Sequence, residues 1–199
     1  NCISLTSFEI PSHITSIKEK AFYGSGLQSI IIPNTVKSMG TGIFKSCSKL
    51  SNITLSTSIS TIPENTFEGC ISLNSFEIPS HITTINQQAF YQSGLISISI
   101  PSTITIININ SFTNTNKLEK VKYHGNKEPS CENTIFSTSK VEYIITNDNY
   151  DKYTFCGKTI QYEDTNREGE CGNECSWEYS SETKTLTITG SGEMNNWNE

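Results

Sequence analysis

Alanine is almost missing from this sequence: among 199 residues it occurs only at Ala21 and Ala89. Alanine is the best helix former, whereas the abundant residues are 28 Ser, 24 Thr and 19 Asn, which favour caps, turns and strands. This composition excludes a helix-rich fold. The 27 Ile are β-branched and suit strands, so we expect a β-rich chain.

The sequence also has no excess of positive charge and no long apolar run. Lys and Arg number 14 against 20 Asp and Glu, a net charge of -6, and no basic patch is present to neutralise phosphates. We therefore expect no nucleic-acid partner. The longest isoleucine run is Ile30 to Ile32, far short of the roughly 20 apolar residues of a membrane helix, so no membrane insertion is expected from this segment. Because the chain opens at Asn1 without a leader, we take it as a processed or excised piece.

Motifs that would indicate catalysis or metal binding are missing as well. His13 and His81 lie in identical Pro-Ser-His-Ile-Thr contexts 68 residues apart, which predicts duplicated loop positions, and His124 has no nucleophile motif to serve. A calcium loop beginning at Asn147 is excluded because its sixth position is Lys152 rather than glycine. We expect no enzyme, no metal site and no cofactor.

What the sequence does contain is a repeat. A leucine opens each unit at a spacing of 22 or 23 residues, followed by a pattern close to L-x-x-[I/F]-x-[I/L]-P-x-x-I-x-x-I. A fixed period of this length with an L-x-x-L-x-L-like opening is typical of leucine-rich repeats, which stack into a solenoid with one shared core. The opening leucines are Leu5, Leu27, Leu50, Leu73, Leu95 and Leu118.

A longer period overlies the short one, because the first three leucines recur 68 residues later. Between the segments Leu5–Leu27 and Leu73–Leu95, 17 of 23 positions are identical. Three repeats were therefore duplicated together. Each spacing of 22 ends in Ser-Gly-Leu, whereas the unit before it ends in Cys-x-x-Leu.

The opening strand of each repeat predicts a parallel sheet with a defined outward face. Side chains alternate across a strand, so the residues between the inward Leu, Ile and Phe point to solvent. This face is the candidate binding surface. It has no Trp, Tyr or Arg, the usual anchors of tight interfaces, so a merely solvated surface is the alternative, and binding would be modest per site and raised by repetition. Its residues are Ser7, Glu9, Ser29, Ile31, Asn52, Thr54, Ser75, Glu77, Ser97, Ser99, Lys120 and Lys122.

The repeat resembles the BspA-like leucine-rich-repeat proteins of mucosal bacteria and parasitic protozoa. The resemblance rests on I-P-x-x-[I/V]-x-x-I-x-x-x-A-F, as in Ile78 through Phe90, and on Cys-x-x-Leu, as in Cys70 to Leu73. It implies a leucine-rich-repeat solenoid of the α/β horseshoe class, rich in β structure, over residues 1–124. It also implies a cell-surface or secreted adhesion module that binds a protein or glycan on a host cell or in the extracellular matrix.

The remaining chain predicts a cap and a further segment. Residues 125–162 interrupt the pattern and read as a cap, and the stretch from Tyr150 to Lys158 resembles the segment that closes repeat arrays in this family. Cys131 and Cys156 bracket the cap, and we expect them to form a disulfide. Residues 163–199 read as a polar linker over 163–170 and then a β-hairpin, which resembles the start of a further module.

The other five cysteines fall into two groups. Cys2, Cys47 and Cys70 each precede a repeat-opening leucine by three residues and are expected to be reduced and buried, since Cys-x-x-Leu lacks the paired cysteines of a zinc site. Cys171 and Cys175 pair either with each other or with another module. Two rival roles remain open: a spacer that displays another domain, and an intracellular scaffold whose cysteines are all thiols.

Overall fold

The computed structural model describes residues 3–147, 149–162, 167–172, 175–180 and 185–190. The chain divides into two compact units, Asn1–Gln161 and Tyr162–Glu199. The described residues contain strands and turns and no helix. The first unit is a solenoid with parallel sheets, as the repeat predicts, but two-residue strands and turns take the places where an α/β horseshoe would have helices. The scarcity of alanine and the many Ser, Thr and Asn account for this difference.

One side of the solenoid, here called the front, consists of one short strand per turn. The front strands pair in parallel within two sheets, β2 with β4, and β6, β8, β10 and β12 in that spatial order. Each begins two residues after a repeat-opening leucine or its equivalent. They are β2 (Ser29–Ile31), β4 (Asn52–Thr54), β6 (Ser75–Glu77), β8 (Ser97–Ile100), β10 (Lys120–Tyr123) and β12 (Tyr143–Thr146).

The opposite side, the back, consists of parallel two-residue strands. Two sheets form here as well, β1 with β3, and β5, β7, β9 and β11 in that order. After β2, β6 and β8 the chain enters a turn that begins with proline, which cannot donate a ladder hydrogen bond and so ends the pairing. Ser56 and His124 take the place of this proline after β4 and β10. The back strands are β1 (Ser16–Ile17), β3 (Ser38–Met39), β5 (Thr61–Ile62), β7 (Thr84–Ile85), β9 (Ile106–Ile107) and β11 (Ser130–Cys131).

The core between front and back is a set of side-chain ladders. The phenylalanine that ends each turn stacks on the next one, with ring centroids 5.2 to 6.1 Å apart and nearly parallel planes. Such ring pairs add about 0.5–1.5 kcal/mol each beyond the area that they bury. The ladder therefore ties every turn to its neighbours. It consists of Phe22, Phe44, Phe67, Phe90, Phe112 and Phe136.

The cap extends the solenoid and then closes it. Strands β11 and β12 continue the back and front sheets beyond residue 124, and an antiparallel pair, β13 (Thr154–Phe155) and β14 (Lys158–Tyr162), follows. Phe155 is fully buried, and its ring centroid lies 4.7 Å from that of Tyr123. Cys131 and Cys156 are joined in a disulfide with their Cα atoms 5.7 Å apart, as expected.

The second unit is a three-stranded antiparallel sheet in chain order, formed by β15 (Arg167–Gly172), β16 (Cys175–Ser180) and β17 (Thr185–Gly190). The predicted hairpin is present as β16 and β17, in a register that places Trp177 opposite Ile188. The last four residues of the predicted linker belong to β15, because β16 offers them an antiparallel partner. No helix among the described residues is long and apolar enough to cross a membrane.

Candidate recognition surface

The front of the solenoid has the alternation that the sequence predicts. Ile30, Phe76, Ile98 and Val121 point into the core and are buried, whereas the residues on either side of each face solvent. Of the twelve predicted outward residues, Ser97, Ser99 and Lys122 are half-buried and the other nine are exposed. Ile31 is an unusual member of this set, because a large apolar side chain is 69% exposed on a face otherwise made of polar residues.

Parallel pairing aligns the outward side chains in rows that run across the strands. In the sheet of β6, β8 and β10, Ser75 lies beside Ser97, and Ser97 beside Lys120. The next row contains Glu77, Ser99 and Lys122 in the same way. The spacing between neighbours in a row is that of adjacent strands, about 4.8 Å, so a row presents a regular polar surface to an extended ligand.

The front is interrupted where the sequence predicts six adjacent strands. Strands β4 and β6 belong to different sheets, and residues 7–10 form no strand although Ser7 and Glu9 were expected on one. Packing explains the second difference. Phe76 of the duplicated unit lies between Phe67 and Phe90 and is 8% exposed, whereas Phe8 has a ring contact with Phe22 alone and is 45% exposed.

The structure adds residues to this face that sequence reasoning missed. The register of β10 with β12 pairs Lys122 with Ile145, which places Tyr143 beside Lys120. The front therefore does contain an aromatic side chain, 37% exposed. The sequence contains a signal for this strand, since Val141-Glu-Tyr-Ile-Ile145 repeats the pattern of Leu118-Glu-Lys-Val-Lys122, but this stretch lacks the leucine that opens the other repeats.

Lys120 and Tyr143 border an open groove of about 580 Å³. Its charges are balanced: Glu119 and Lys140 form an ion pair at 3.2 Å, and Lys120 and Glu142 add one charge of each sign. The ion pair is exposed and so contributes little to stability. A groove of this kind, with an accessible ring beside donors and acceptors, suits a polar ligand with one apolar surface.

One further pair on the front, Ser99 and His124, was not expected. The Ser99 hydroxyl and His124 Nε2 are 2.8 Å apart, the separation of a nucleophile and its base. Catalysis requires in addition a group that orients the imidazole and donors for a developing oxyanion. Among the described residues no carboxylate accepts a hydrogen bond from the His124 ring. This pair alone therefore does not constitute a hydrolytic site.

The duplicated histidines occupy loop positions in the turn after Pro11 and Pro79, as expected. His13 is exposed and His81 is half-buried, and His81 Nε2 has no hydrogen-bond partner within the described part of the chain. Neither lies in a groove described above. Their equivalent positions in duplicated turns favour a structural origin for both.

The cysteines follow the expected division where the structure describes them. Cys47 and Cys70 are free and buried, and their thiols donate hydrogen bonds to the carbonyls of Phe22 and Phe44 in the preceding turns. Burial raises the pKa of both thiols, most strongly that of Cys70. Cys2 and the side chains of Cys171 and Cys175 lie outside the described residues.

Glu128 lies beside the disulfide, and each of its carboxylate oxygens accepts a hydrogen bond there. It accepts hydrogen bonds from the Cys156 amide at 2.6 Å and from Lys152 Nζ at 2.8 Å. Glu128, Cys131 and Cys156 have the spacing of metal ligands, but the two sulfur atoms are bonded to each other. The group therefore fastens the end of the cap, around Cys156, to its beginning at Glu128 and β11.

Comparison with known proteins gives the family. The sequence model described as "BspA type Leucine rich repeat region (6 copies)" matches residues 1–119 and 83–189. The chain belongs to the BspA-type leucine-rich-repeat family. A comparison with curated proteins found no significant match.

Two solved structures share the leucine-rich-repeat fold. A leucine-rich cell surface protein from Faecalibacterium prausnitzii A2-165 is 39% identical with a TM-score of 0.55, and the match covers 58% of this chain and 31% of that protein. The leucine-rich-repeat protein of T. pallidum is 23% identical with a TM-score of 0.54, and the match covers 69% of this chain and 71% of that one. The T. pallidum match shows the fold alone. The chain spans about a third of the length of the Faecalibacterium protein.

Proposed function

We propose that this chain is a non-enzymatic recognition module of a cell-surface or secreted protein, and that its front binds a protein or glycan on a host cell or in the extracellular matrix. The observation that supports this most directly is the set of aligned outward rows, held by a fully buried core. Side chains fixed on a rigid scaffold lose little conformational freedom on binding, which favours affinity. The cell-surface relative is consistent with this role.

The disulfide supports an oxidising compartment rather than an intracellular scaffold. Cys131 and Cys156 are joined across a sequence separation of 25, and such bonds persist in extracellular environments and are rare in the cytosol. The fully buried Cys70 is protected from oxidation by its surroundings, so a free thiol in the core is compatible with secretion.

The experiment is a binding assay of the purified full chain on immobilised matrix proteins, a glycan panel and host cells. The double variant Lys120→Glu/Tyr143→Ala changes the row at the array–cap junction, whereas Tyr153→Ala removes a ring that is 89% exposed outside every strand. We expect the double variant to bind at least fivefold more weakly to whichever ligand is captured, and the control to bind normally. Equal binding by all three proteins contradicts the proposal, and no binding by the wild type favours the spacer role.

A further inference from the structure

The first turn of the solenoid opens where its duplicate is closed. Ser75-Phe-Glu77 pairs with β8 along its whole length, whereas the identical Ser7-Phe-Glu9 does not pair with β2. A single backbone hydrogen bond, from the Gln28 amide to the Thr6 carbonyl at 3.4 Å, joins the two segments before they separate. The same three residues therefore pair with the next strand in the second copy, but leave a gap beside the next strand in the first copy.

This gap, here called the first-turn groove, has a volume of about 660 Å³ between residues 7–10 and residues 29–33. Both inward and outward side chains line it. The buried Ile10 and Ile30, with the partly exposed Phe8, are here called its floor, and the exposed Glu9 and Ile31 its rim. A side chain entering from the front would thus meet core residues. An apolar group is the one that such a floor accepts, because it gains contacts and leaves no polar atom unpaired.

The backbone along one wall of the first-turn groove is free to pair. Residues Gln28 and Ile32 direct hydrogen bonds toward the third turn, where the Gln28 carbonyl accepts from Asn52 and the Ile32 amide donates to Thr54. Alternate residues of a parallel strand face opposite neighbours, so the amide and carbonyl of Ser29 and of Ile31 face the groove. Such an edge is a template for an added strand.

The negative charge of Glu9 at the rim favours a partner with a basic residue. Glu9 is exposed and has no ion-pair partner among the described residues, and no lysine or arginine lines the groove. A basic residue in a bound segment would meet this carboxylate at the rim, whereas an acidic one would be repelled.

From these features we infer that the first-turn groove binds an extended peptide segment of a protein partner by strand addition to β2, with an apolar side chain against Phe8 and Ile30 and a neighbouring Lys or Arg at Glu9. The inference rests on the proposed function, since it takes the front as the binding surface, and it names the partner class for one end of that surface.

The test uses the full chain and labelled seven-residue peptides that alternate isoleucine with threonine. One peptide has a terminal lysine, a second has glutamate in its place, and a third has the lysine and N-methylated alternate amides. We expect the lysine peptide to bind at least tenfold more tightly than either of the others, as measured by fluorescence anisotropy. Binding that survives N-methylation, or no saturable binding, overturns strand addition.

Variants locate the site. Ile31→Ser should weaken binding of the lysine peptide at least tenfold, whereas Ile71→Ser, at another isoleucine that is 58% exposed, should leave it unchanged. Glu9→Lys should reverse the preference between the lysine and glutamate peptides. If Ile31→Ser and Ile71→Ser behave alike, the groove is not the site.

Loss of peptide binding with normal binding to cells or matrix rejects this inference alone, whereas peptide binding without any cell or matrix binding rejects the proposed function alone.

Discussion

Gly94 shows how one residue sets the spacing between turns. A Cβ atom there would lie 2.0 Å from the Ile71 carbonyl oxygen, and at Gly26 it would lie 2.1 Å from that of Ile3. Both glycines belong to the Ser-Gly-Leu sequences that end the two shortened spacings. Without a side chain, the shorter loop can approach the backbone of the turn before it.

We expect Gly94→Ala to lower the free energy of unfolding by about 3 kcal/mol, because the backbone of one turn must move to admit the methyl group. Gly69→Asn is the matched control: its nearest contact would be at 3.6 Å, and asparagine tolerates the left-handed φ of +71°. We expect a cost of about 1 kcal/mol or less there. Urea unfolding of both variants measures the difference, and equal losses would contradict the proposed backbone contact.

Cys70 makes the stability of the array sensitive to alkaline pH. The pKa of the Cys70 thiol is raised well above its ordinary value of 9.0. Burial is the larger cause, and the charge of the neighbouring Cys47 is the smaller one. Above pH 9 the unfolded chain therefore releases a proton that the folded chain retains, and ionisation favours unfolding. Stability from the neutral thiol is fully present below pH 9 and is lost as the pH rises.

For this thiol we expect the free energy of unfolding to fall by up to about 1.4 kcal/mol per pH unit above pH 9. The contribution is isolated by subtracting the values for Cys70→Ala, in which the other titrating groups are unchanged. The difference between the two proteins should be constant from pH 7 to 8.5 and should shrink from pH 9 to 10.5. A difference that grows with pH would show that the thiolate is accommodated in the fold.

At the scale of the strand, a new negative charge should lower stability much more on the inward face of β6 and its flanking residues than on the outward face. Ile78 is 2% exposed and belongs to a core shared with both neighbouring turns, whereas Ser75 is exposed on the front. We expect Ile78→Asp to cost roughly 3–5 kcal/mol, because a buried carboxylate has no partner there, and Ser75→Asp to cost less than about 1 kcal/mol. Circular dichroism during urea unfolding compares them, and equal destabilisation would mean that the inward and outward positions are misassigned.

The cap is an element that depends on its covalent link. The Cys131–Cys156 disulfide closes a loop with a sequence separation of 25, for which the chain-entropy account gives about 3 kcal/mol. We expect the double variant Cys131→Ser/Cys156→Ser to expose Phe155 and lose protection from proteolysis between residues 125 and 162, while the preceding turns stay folded. Cys47→Ser is the control for a cysteine change outside the cap. Cleavage within residues 28–118 at the same rate as in the cap would contradict a local role for the disulfide.

The sequence predicts the alternation within elements much better than their pairing. The inward and outward positions of Ser75, Phe76 and Glu77 follow from a period of two and a repeat that can be aligned by eye. The alternation is the same in β4 and β6, so it does not predict that the two strands belong to different sheets. Tyr143 was missed for a different reason, since the degenerate seventh turn keeps the strand but loses the leucine that marks the others.

At the scale of the whole molecule, the charge is divided unequally between the two units. Residues 162–199 contain nine acidic and two basic residues, a net charge of -7, whereas residues 1–161 contain 11 acidic and 12 basic residues, a net charge of +1. The solenoid itself is thus nearly neutral. Any salt dependence of binding by its front must come from particular outward residues rather than from a long-range field.

Glu9 and Glu77 are the acidic residues at equivalent outward positions of the duplicated turns, and both are exposed. Lys18 is exposed immediately after β1 on the back, and Lys18→Glu is a charge reversal of equal size per residue and opposite sign away from the front. Rim charges act mainly on association rate and salt dependence. The double variant Glu9→Lys/Glu77→Lys and the variant Lys18→Glu therefore separate the front from the rest of the solenoid.

The most direct test of the central claim measures the association of these two variants and the wild type with host cells or matrix at low and physiological salt. If the front is the recognition surface, the double variant will change its association rate several-fold at low salt and less at physiological salt, while Lys18→Glu will match the wild type at both. Identical rates for all three proteins at both salt concentrations, with binding retained, would contradict the claim that the front of the solenoid makes the contact.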